Sequence, residues 1–472
     1  MKILILGGGP CGLGAAFRLS ELQHQDWKLF EKNNYWGGLS TSFTDHEGFV
    51  WDVGGHVLFS HYPYFDNVMV TVLNPKDEWL YHEREAWIYM QDRFIPYPIQ
   101  NNIRHLPKDI FWECLQGIIQ VNCNPTNKKP ENFSEWVDAC FGKGLTHWFL
   151  RPYNLKVWAH PLESMDWKWV GDRVSVVNLE RVMNHYIYEK DDISWGPNST
   201  FRFPRYHGTG AIWNLLANQL PQDKLFLNHE VKYISTKHKT VTFTNGHVEY
   251  FDYLLSTIPI TVLIQLSDIH NTALPSSSLL YSSTHIVGLG LKGNPPDHLQ
   301  TKCWMYFPED NCPFYRVTVF SNYSPNNVPD ISTQWSLMCE VSESEYKKVN
   351  HHDVISDVIQ GAINTGLISS RNQIHHTWYH FVEKGYPTPS LNRNESLLPL
   401  LNSLASMNIY SRGRFGAWRY EVGNMDHSFM QGVEFINMVT HGTDELTLWY
   451  PEIVNSPHPS GKKRLFSGSK TF

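Results

Sequence analysis

The chain of 472 residues is 42% hydrophobic and 18% charged, and no apolar run approaches the roughly 20 residues that a membrane-spanning helix requires. Its length suffices for about three domains of ~150 residues, which excludes a small scaffold held together by disulfides or a metal. The formal net charge of −7 argues against nucleic-acid or membrane-surface binding as the main activity, so an anionic ligand must be held by a few placed arginines.

The start of the chain has the pattern of a βαβ unit. Lys2–Leu6 is predicted as a buried strand, Gly7–Gly14 as a glycine turn, Ala15–Leu22 as a helix and Trp27–Glu31 as the second strand. Glycines let the backbone approach a pyrophosphate, and the following helix N-terminus offers amide donors. The carboxylate at the end of the second strand suits a ribose hydroxyl. The pattern predicts dinucleotide binding by Gly7, Gly9, Cys11, Gly12, Gly14 and Glu31.

Two further glycine pairs follow this unit. Trp36–Ser40, with the sequence WGGLS, resembles the second glycine pair of FAD-binding glutathione-reductase-like and amine-oxidase-like folds, which favours FAD over NAD. Asp52–Val57, with the sequence DVGGHV, places two glycines beside His56, so the backbone can press against a flat ring with an imidazole next to it. An ordinary turn is the alternative explanation for each pair.

The rest of the chain divides into helical and extended stretches. Apolar spacing of three and four residues from about Lys108 to Lys190 predicts an inserted helical domain. Alternation around Asn245-Gly246 predicts a hairpin over Thr240–Tyr250. A buried strand is expected at YLLSTIP, and alternating β-branched and aromatic residues over 283–345 predict an antiparallel sheet. The segment Asn322–Thr333 is predicted to be a long loop.

Arginines accompany aromatic residues in three segments. Asn154 and Trp158 lie four residues apart on one predicted helix and share a face, so an amide and an indole could meet a nucleobase. Bidentate guanidinium contacts are the strong way to hold a diphosphate. A surface salt bridge is the commoner explanation for any single arginine. The segments are Arg151–Trp158 with Arg173, Tyr306 with Arg316, and Ser411–Tyr420.

The cysteines, histidines and serines predict no other chemistry. Seven cysteines without a C-x-x-C pair favour free thiols, and the glycines in MKILILGGGP interrupt any signal-peptide core, so a cytoplasmic protein is expected. The histidine pairs at 351 and 375 lie in polar sequence without an H-E-x-x-H motif, so no metal site is predicted. No G-x-S-x-G turn occurs, and the thiol of Cys11 is expected to line a cofactor rather than attack a substrate.

Long motifs spread over nearly the whole chain resemble the UDP-galactopyranose mutase family, and its fungal-type branch in particular. They include DVGGHVLFSHYPYFD, PYPIQNNI, RPYNLKVWA, WGPNSTFRFP, CWMYFPEDNCPFYR and SRGRFGAWRYEVGNMDHSFMQGVE. The resemblance implies an α/β fold built around a Rossmann-like, glutathione-reductase-type FAD domain (1–84, 205–265 and 400–472). A helical bundle for uridine (102–195) and an antiparallel sheet domain (85–101 and 266–399) complete the expected organisation.

The resemblance also implies an isomerase that interconverts UDP-galactopyranose and UDP-galactofuranose through a flavin N5–sugar adduct, without net redox change. FAD would be active in its reduced form, with NADPH or NADH as reductant. The implied partners are a UDP-sugar and possible further copies of the chain, with no nucleic acid or membrane. Three alternatives stay open: an FAD-dependent oxidoreductase of the amine-oxidase or desaturase type, a mutase for a related UDP-sugar, and a catalytically silent UDP-sugar-binding protein.

Motif positions that match the family imply roles for single residues. Catalytic roles fall to His56, Arg316 and Arg414. Substrate contacts are implied for Tyr97, Gln100, Phe149, Asn154, Trp158, Arg173, Asn198 in a mobile flap, Tyr306, Tyr386, Tyr420 and Asn424. Further cofactor contacts are implied for Lys32, Gly38, Leu39, Gly55, Val231, Gly423, Asn424, Met425 and Ser428. Met425 stands where the fungal pattern has a glutamine, and Tyr206-His207 replaces small residues.

Overall fold

A five-stranded parallel sheet carries the predicted βαβ unit. The computed structural model describes residues 1–125, 128–171, 174, 176–193, 199–269 and 279–456. In this sheet β1 (Ile3–Leu6) pairs in parallel with β2 (Trp27–Phe30) on one side and with β13 (Tyr253–Ser256) on the other, and every residue of β1 is buried. The strand order is β19-β13-β1-β2-β9, formed by β1 (Ile3–Leu6), β2 (Trp27–Phe30), β9 (Leu225–Phe226), β13 (Tyr253–Ser256) and β19 (Ile409–Ser411).

The first helix, α1 (Pro10–Glu21), begins five residues before the predicted start. Proline is favoured in a first helical turn, where its missing N–H is not needed, so the helix takes up most of the predicted glycine turn. One glycine from this helix and one from α11 (Met425–His441) allow the two helices to pack closely. A Cβ on Gly14 would lie 2.4 Å from the Phe429 carbonyl oxygen, and a Cβ on Gly432 would lie 2.0 Å from that of Cys11. This contact holds the start of α11 near the glycine turn.

The predicted helical region is confirmed as four helices around one hydrophobic cluster. Gly142, with φ +75°, interrupts α4, and a Cβ there would lie 2.3 Å from the backbone carbon of Gly117 in α3. A π-helical turn, Thr146–Leu150, runs directly into α5, so Phe149 and Trp158 both reach the same cluster. The helices are α3 (Lys108–Cys123), α4 (Phe133–Leu145), α5 (Arg151–Trp158) and α6 (Leu179–Ile187).

A seven-stranded sheet forms the third part of the structure. Its neighbours pair antiparallel, as predicted, except that β15 and β6 pair in parallel. Along β17 (Gln334–Glu343), Leu337, Cys339 and Val341 pack into one cluster with α9 (Val354–Asn364), whereas Met338, on the opposite face, packs into another. The order is β18-β14-β17-β16-β15-β6-β7, formed by β6 (Ala86–Met90), β7 (Arg93–Pro96), β14 (Tyr281–Lys292), β15 (Trp304–Tyr306), β16 (Arg316–Val319), β17 (Gln334–Glu343) and β18 (Ile374–Pro387).

Three small sheets and the remaining helices surround these parts. The predicted hairpin is confirmed as β11 and β12, and the segment 322–333 contains no strand. Along the described part of the chain, no helix is long and apolar enough to cross a membrane. The three domain boundaries stay a prediction. The elements are β3 (Ser42–Thr44), β4 (Val50–Asp52), β5 (Trp79–Glu83), β8 (Thr200–Pro204), β10 (Val231–Ser235), β11 (Thr240–Phe243), β12 (Val248–Tyr250), α2 (Pro63–Val72), α7 (Gly210–Asn218), α8 (Ile260–Gln265), α9 (Val354–Asn364), α10 (Arg393–Ser406), α12 (Leu446–Trp449) and α13 (Pro451–Asn455).

Candidate active site

The glycine turn after β1 and the carboxylate after β2 lie together. The N–H of Gly8 donates to Glu31 Oε2 (2.7 Å), and the side chain of Asn33 donates to Glu31 Oε1 (2.8 Å). Gly9 faces Gly37 and Gly38, and a Cβ on Gly9 would meet nothing closer than 3.9 Å. Three glycines therefore leave a narrow space at the N-terminus of α1, beside a buried carboxylate.

This space fits FAD. A backbone cradle at a helix N-terminus suits a pyrophosphate, and the carboxylate of Glu31 suits the ribose. Cys11 lies in the first turn of α1, where burial raises the pKa of its thiol, so it stays protonated and packs against Gly413. Gly7, Gly12 and Gly14 belong to the same turn and helix. A Cβ on Gly12 would lie 1.9 Å from the Gly7 carbonyl oxygen.

The other predicted cofactor residues surround this cradle in part. Asn424 caps α11, and its carbonyl accepts the N–H of Ser428 (2.8 Å), while Met425 packs into the core below α1. Leu39 follows the second glycine pair and is partly buried. Lys32 is exposed beside Glu31, and Val231 follows two residues after His229, whose N–H donates to the Glu31 carbonyl (2.9 Å).

His56 lies in a turn whose amide contacts a buried glutamate. The N–H of Gly55 donates to Glu340 Oε1 (3.0 Å), and Gly54 has φ +99°. Among the described residues, Nδ1 of His56 is buried without a hydrogen-bond partner. Burial, together with the smaller effects of the Arg316 and Arg414 charges, lowers the pKa of His56 to about 4 against the opposing effect of Glu340. The imidazole is therefore neutral and lies close to both arginines.

Arg316 is held by a carboxylate that the sequence analysis missed. Its Nε and Nη2 donate to Glu340 Oε1 (2.7 Å) and Oε2 (2.8 Å), across the register pair that joins β16 to β17. The same carboxylate accepts the hydroxyl of Tyr315 (2.7 Å). Although burial opposes ionisation, Arg316 holds the pKa of Glu340 below its ordinary value. Glu340 therefore remains ionised and cancels one arginine charge.

Arg414 has different partners. Its guanidinium donates to the carbonyls of Gly385 (3.1 and 3.2 Å) and Gly423 (3.1 Å), and it lies over the rings of Tyr386 (4.9 Å) and Tyr420 (5.8 Å). Within the described ranges it forms no ion pair with a carboxylate. Its charge is therefore available to an anionic ligand next to two tyrosines.

Aromatic side chains connect the two arginines to the helical region. The ring of Tyr306 lies 5.4 Å from that of Tyr97 and 5.3 Å from that of Tyr153, which stacks on Phe149 at 5.3 Å. On the other side, Trp158 contacts Tyr420 (4.8 Å), Tyr386 (6.1 Å) and Trp169 (5.0 Å). Burial raises the pKa values of Tyr97, Tyr153 and Tyr306, so these phenols stay protonated. The structure thus brings together six of the predicted substrate residues: Tyr97, Phe149, Trp158, Tyr306, Tyr386 and Tyr420.

The remaining predicted substrate residues are less closely connected. Asn154 lies on α5, one turn before Trp158, and its side-chain nitrogen donates to the carbonyl of Leu150 (2.7 Å). Gln100 is buried in a short turn that follows Tyr97. Arg173 and Asn198 lie outside the described residues.

The missed residues Glu340, Tyr153, Tyr315 and Trp169 differ in how visible they are in the sequence. Glu340 is an isolated charge within an otherwise apolar stretch of β17, and a buried charge requires a partner. That pattern could have indicated it. The three aromatic residues carry no such indication, because the chain is rich in aromatic residues throughout.

Comparisons with known proteins agree with this geometry. The family model for flavin-containing amine oxidoreductases matches residues 10–300. A crystal structure of reduced UDP-galactopyranose mutase superposes with a TM-score of 0.93 at 47% identity, covering 96% of this chain and 97% of that one. A putative protoporphyrinogen oxidase from Exiguobacterium sp. 255-15 (TM-score 0.71, 14% identity, 94% and 99% covered) and a putrescine oxidase (0.58, 14%, 93% and 98%) share the fold alone. The chain is a flavoenzyme that belongs to the UDP-galactopyranose mutase family.

Proposed function

We propose that this enzyme interconverts UDP-galactopyranose and UDP-galactofuranose, with the diphosphate between Arg316 and Arg414 and the sugar beside His56. The observation that carries the proposal is the convergence of two arginines and a neutral histidine with the tyrosines of one aromatic cluster. Breaking the bond between sugar and diphosphate places negative charge on the departing phosphate. Preorganised guanidinium and phenol donors at that position stabilise this charge.

Each group supplies a different part of this stabilisation. Reduced FAD, when bound in the glycine cradle, supplies a nucleophile for the anomeric carbon without net redox change. Among the described residues, Arg414 donates hydrogen bonds to carbonyl oxygens and forms no ion pair, so it offers the stronger attraction to the diphosphate. Tyr306, Tyr386 and Tyr420 donate neutral hydrogen bonds. Because His56 is uncharged, it adds no competing positive charge and leaves the departing diphosphate paired with the arginines.

The uridine is proposed to occupy the helical side of the cluster. Trp158 and Phe149 form the aromatic wall on this side, and Tyr97, Gln100 and Asn154 carry polar atoms for base and ribose. Arg173 and Asn198 are proposed to contribute from their matching motif positions, and Asn424 from the start of α11. Contacts to the uridine, away from the reacting sugar, hold the departed diphosphate in place for recombination.

We also propose the reductant, the branch of the family, the location, the domain ranges and the assembly of this chain. NADPH or NADH is proposed as the reductant, and the chain is assigned to the fungal-type branch because of its long motifs. A cytoplasmic location is proposed because the cysteines in the described ranges are free thiols. The three domain ranges and assembly into a homo-oligomer are proposed from the resemblance alone.

The decisive experiment assays the reduced holoenzyme with a panel of UDP-sugars. UDP-galactofuranose is expected to convert to UDP-galactopyranose over many turnovers for each equivalent of reductant. Arg414→Ala should lose about 10²–10³-fold in turnover and still bind flavin, whereas the exposed Arg371→Ala serves as a charge-matched control. Stoichiometric use of reductant, or peroxide formation from an amine, would indicate an oxidoreductase. Preference for another UDP-sugar would indicate a related mutase, and flavin that never becomes reduced would indicate a silent binding protein.

A further inference from the structure

Two histidines from separate segments meet at one carboxylate on the seven-stranded sheet, and the three side chains are potential metal ligands. His285 lies on β14, Glu343 ends β17, and His351 lies in the loop that follows. Nε2 of His285 is 2.9 Å from Glu343 Oε2, and Nε2 of His351 is 2.8 Å from the same oxygen. The donor atoms all lie within 4.8 Å of one another. Two imidazole nitrogens and a carboxylate thus form one compact donor set.

Neighbouring groups orient this donor set. The hydroxyl of Tyr379 is 2.9 Å from Nδ1 of His285, and the N–H of Val349 donates to the second oxygen of Glu343 (3.4 Å). A partner on the remote ring nitrogen is what turns the other nitrogen of a metal-binding histidine towards the metal. The side chain of His285 is fully buried, that of Glu343 is 19% exposed and that of His351 is 48% exposed. Within the donor set, His285 is therefore held in the protein interior, whereas His351 is accessible to solvent.

We propose that His285, Glu343 and His351 bind a divalent transition-metal cation of the Zn²⁺ class. Nitrogen and carboxylate donors at about 2.0–2.2 Å suit Zn²⁺, and three protein ligands leave a position for water. Ligand atoms around such an ion lie about 3.4 Å apart, so each separation between a histidine nitrogen and the Glu343 oxygen must grow by roughly half an ångström. The partly exposed side chains of Glu343 and His351 can both shift to reach this spacing, whereas the buried His285 stays in place. Hard cations such as Mg²⁺ prefer all-oxygen sites and should not compete.

The site lies on the face of β17 that is turned away from the proposed active site. Glu340 and Glu343 are three residues apart on this strand, so they project to opposite faces. Ser342 and Ser344, which flank Glu343, donate to the carbonyls of Lys156 and Ala159 at the end of α5. A cation at Glu343 would therefore fix the strand end that supports this helix. Its binding does not depend on the proposed reaction.

The test measures Zn²⁺ binding to the holoenzyme after treatment with EDTA. Equilibrium dialysis in excess Mg²⁺ should give one Zn²⁺ per chain. His351→Ala and Glu343→Gln should remove this binding, whereas His352→Ala, which alters the adjacent exposed histidine, should leave it unchanged. Tyr379→Phe should weaken binding about 10–100-fold, because it removes only the group that orients His285.

Other results would overturn the proposal. His285, Glu343 and His351 would be a hydrogen-bonded cluster alone if the parent enzyme bound no Zn²⁺ under these conditions. Unchanged Zn²⁺ affinity in His351→Ala would also contradict the proposal. His61, Asp426 and His427 form a second compact donor set, so loss of Zn²⁺ binding in His61→Ala alone would place the ion there instead. Flavin content and circular dichroism would verify that each variant folds. Because His351 is exposed, its replacement by alanine should disturb the fold least.

Discussion

The ion pair between Arg316 and Glu340 allows the proposed catalytic role of the arginine to be separated from its structural role. Arg316→Ala leaves the Glu340 carboxylate, whose side chain is 2% exposed, with the neutral donors of Tyr315 and Gly55 as its partners among the described residues. An uncompensated buried charge costs about 3–5 kcal/mol of unfolding free energy. Glu340→Gln in the same chain removes that charge; its amide oxygen can accept the N–H of Gly55, and its NH2 can donate to the hydroxyl oxygen of Tyr315.

The double variant should therefore recover part of the lost stability. We expect the Arg316→Ala and Glu340→Gln changes to be non-additive by about 2–3 kcal/mol in unfolding free energy, the upper end of the range of roughly 0.5–3 kcal/mol for residues in direct contact. Turnover should behave differently, because Glu340→Gln restores no donor to the diphosphate. It should stay about 10²–10³-fold below that of the parent in both the single Arg316→Ala variant and the double variant.

Urea unfolding of the holoenzymes, followed by protein fluorescence, gives the stability terms, and the rate with UDP-galactofuranose gives turnover. Arg371→Ala is the control for loss of a surface arginine. If the two changes in unfolding free energy were additive, the contributions of Arg316 and Glu340 to stability would not depend on the ion pair between them. Recovery of turnover in the double variant would refute the proposed clamp, since it would show that Arg316→Ala acts only by exposing the site to the charge of Glu340.

Two further predictions concern the cofactor cradle and a buried acid. Gly9→Ala should fold normally, because Gly9 has an ordinary φ of −79° and open space at Cβ, but it should lose flavin; a normal ratio of flavin to protein absorbance would contradict this. Burial raises the pKa of Glu434 to about 8, so the folded chain binds more protons than the unfolded chain between about pH 4.5 and 8, and stability falls as pH rises. Glu434→Gln should abolish this fall in stability. Urea unfolding at about pH 5.5 and 8 should therefore show that the unfolding free energy of the variant, relative to that of the parent, increases with pH. A difference that stays constant with pH would exclude Glu434 as the cause.

Local patterns predicted the arrangement of the glycine turn, the first two strands and Glu31 well. Strand, glycine turn, helix and Glu31 are contiguous in the sequence, so spacing alone places them together. The early start of α1 was missed because the glycines were assigned to the turn, although Pro10 is suited to a first helical turn. Gly14 lies inside this helix, where tertiary packing against α11 leaves no room for a Cβ, so its glycine reflects helix packing rather than a turn.

Long-range pairing limited the prediction of the active site and of the histidine cluster. Arg316 and Glu340 are separated by 24 residues but lie directly opposite each other in the register between β16 and β17. His285 and His351 lie still further apart in sequence, so the spacing of the histidine pairs gave no indication of a metal site. Such contacts depend on strand register, which the local sequence does not determine.

The charge balance of the site leads to a prediction about affinity. Glu340 cancels the charge of Arg316, so a diphosphate meets fewer net positive charges than two arginines suggest. Replacing Glu340 by Gln removes one negative charge from the vicinity of the phosphates; at roughly 8 Å and an effective dielectric constant of ~20, this is worth about 2 kcal/mol before screening by salt.

We therefore expect Glu340→Gln to bind UDP about tenfold more tightly than the parent, with the gain shrinking as salt is raised. Calorimetric titration of the oxidised holoenzyme at two salt concentrations measures this. Glu343→Gln is the matched control, since it removes the same charge from the opposite face of β17. Weaker UDP binding by Glu340→Gln would mean that Glu340 acts mainly by orienting Arg316, because the lost orientation would then outweigh the gain in charge.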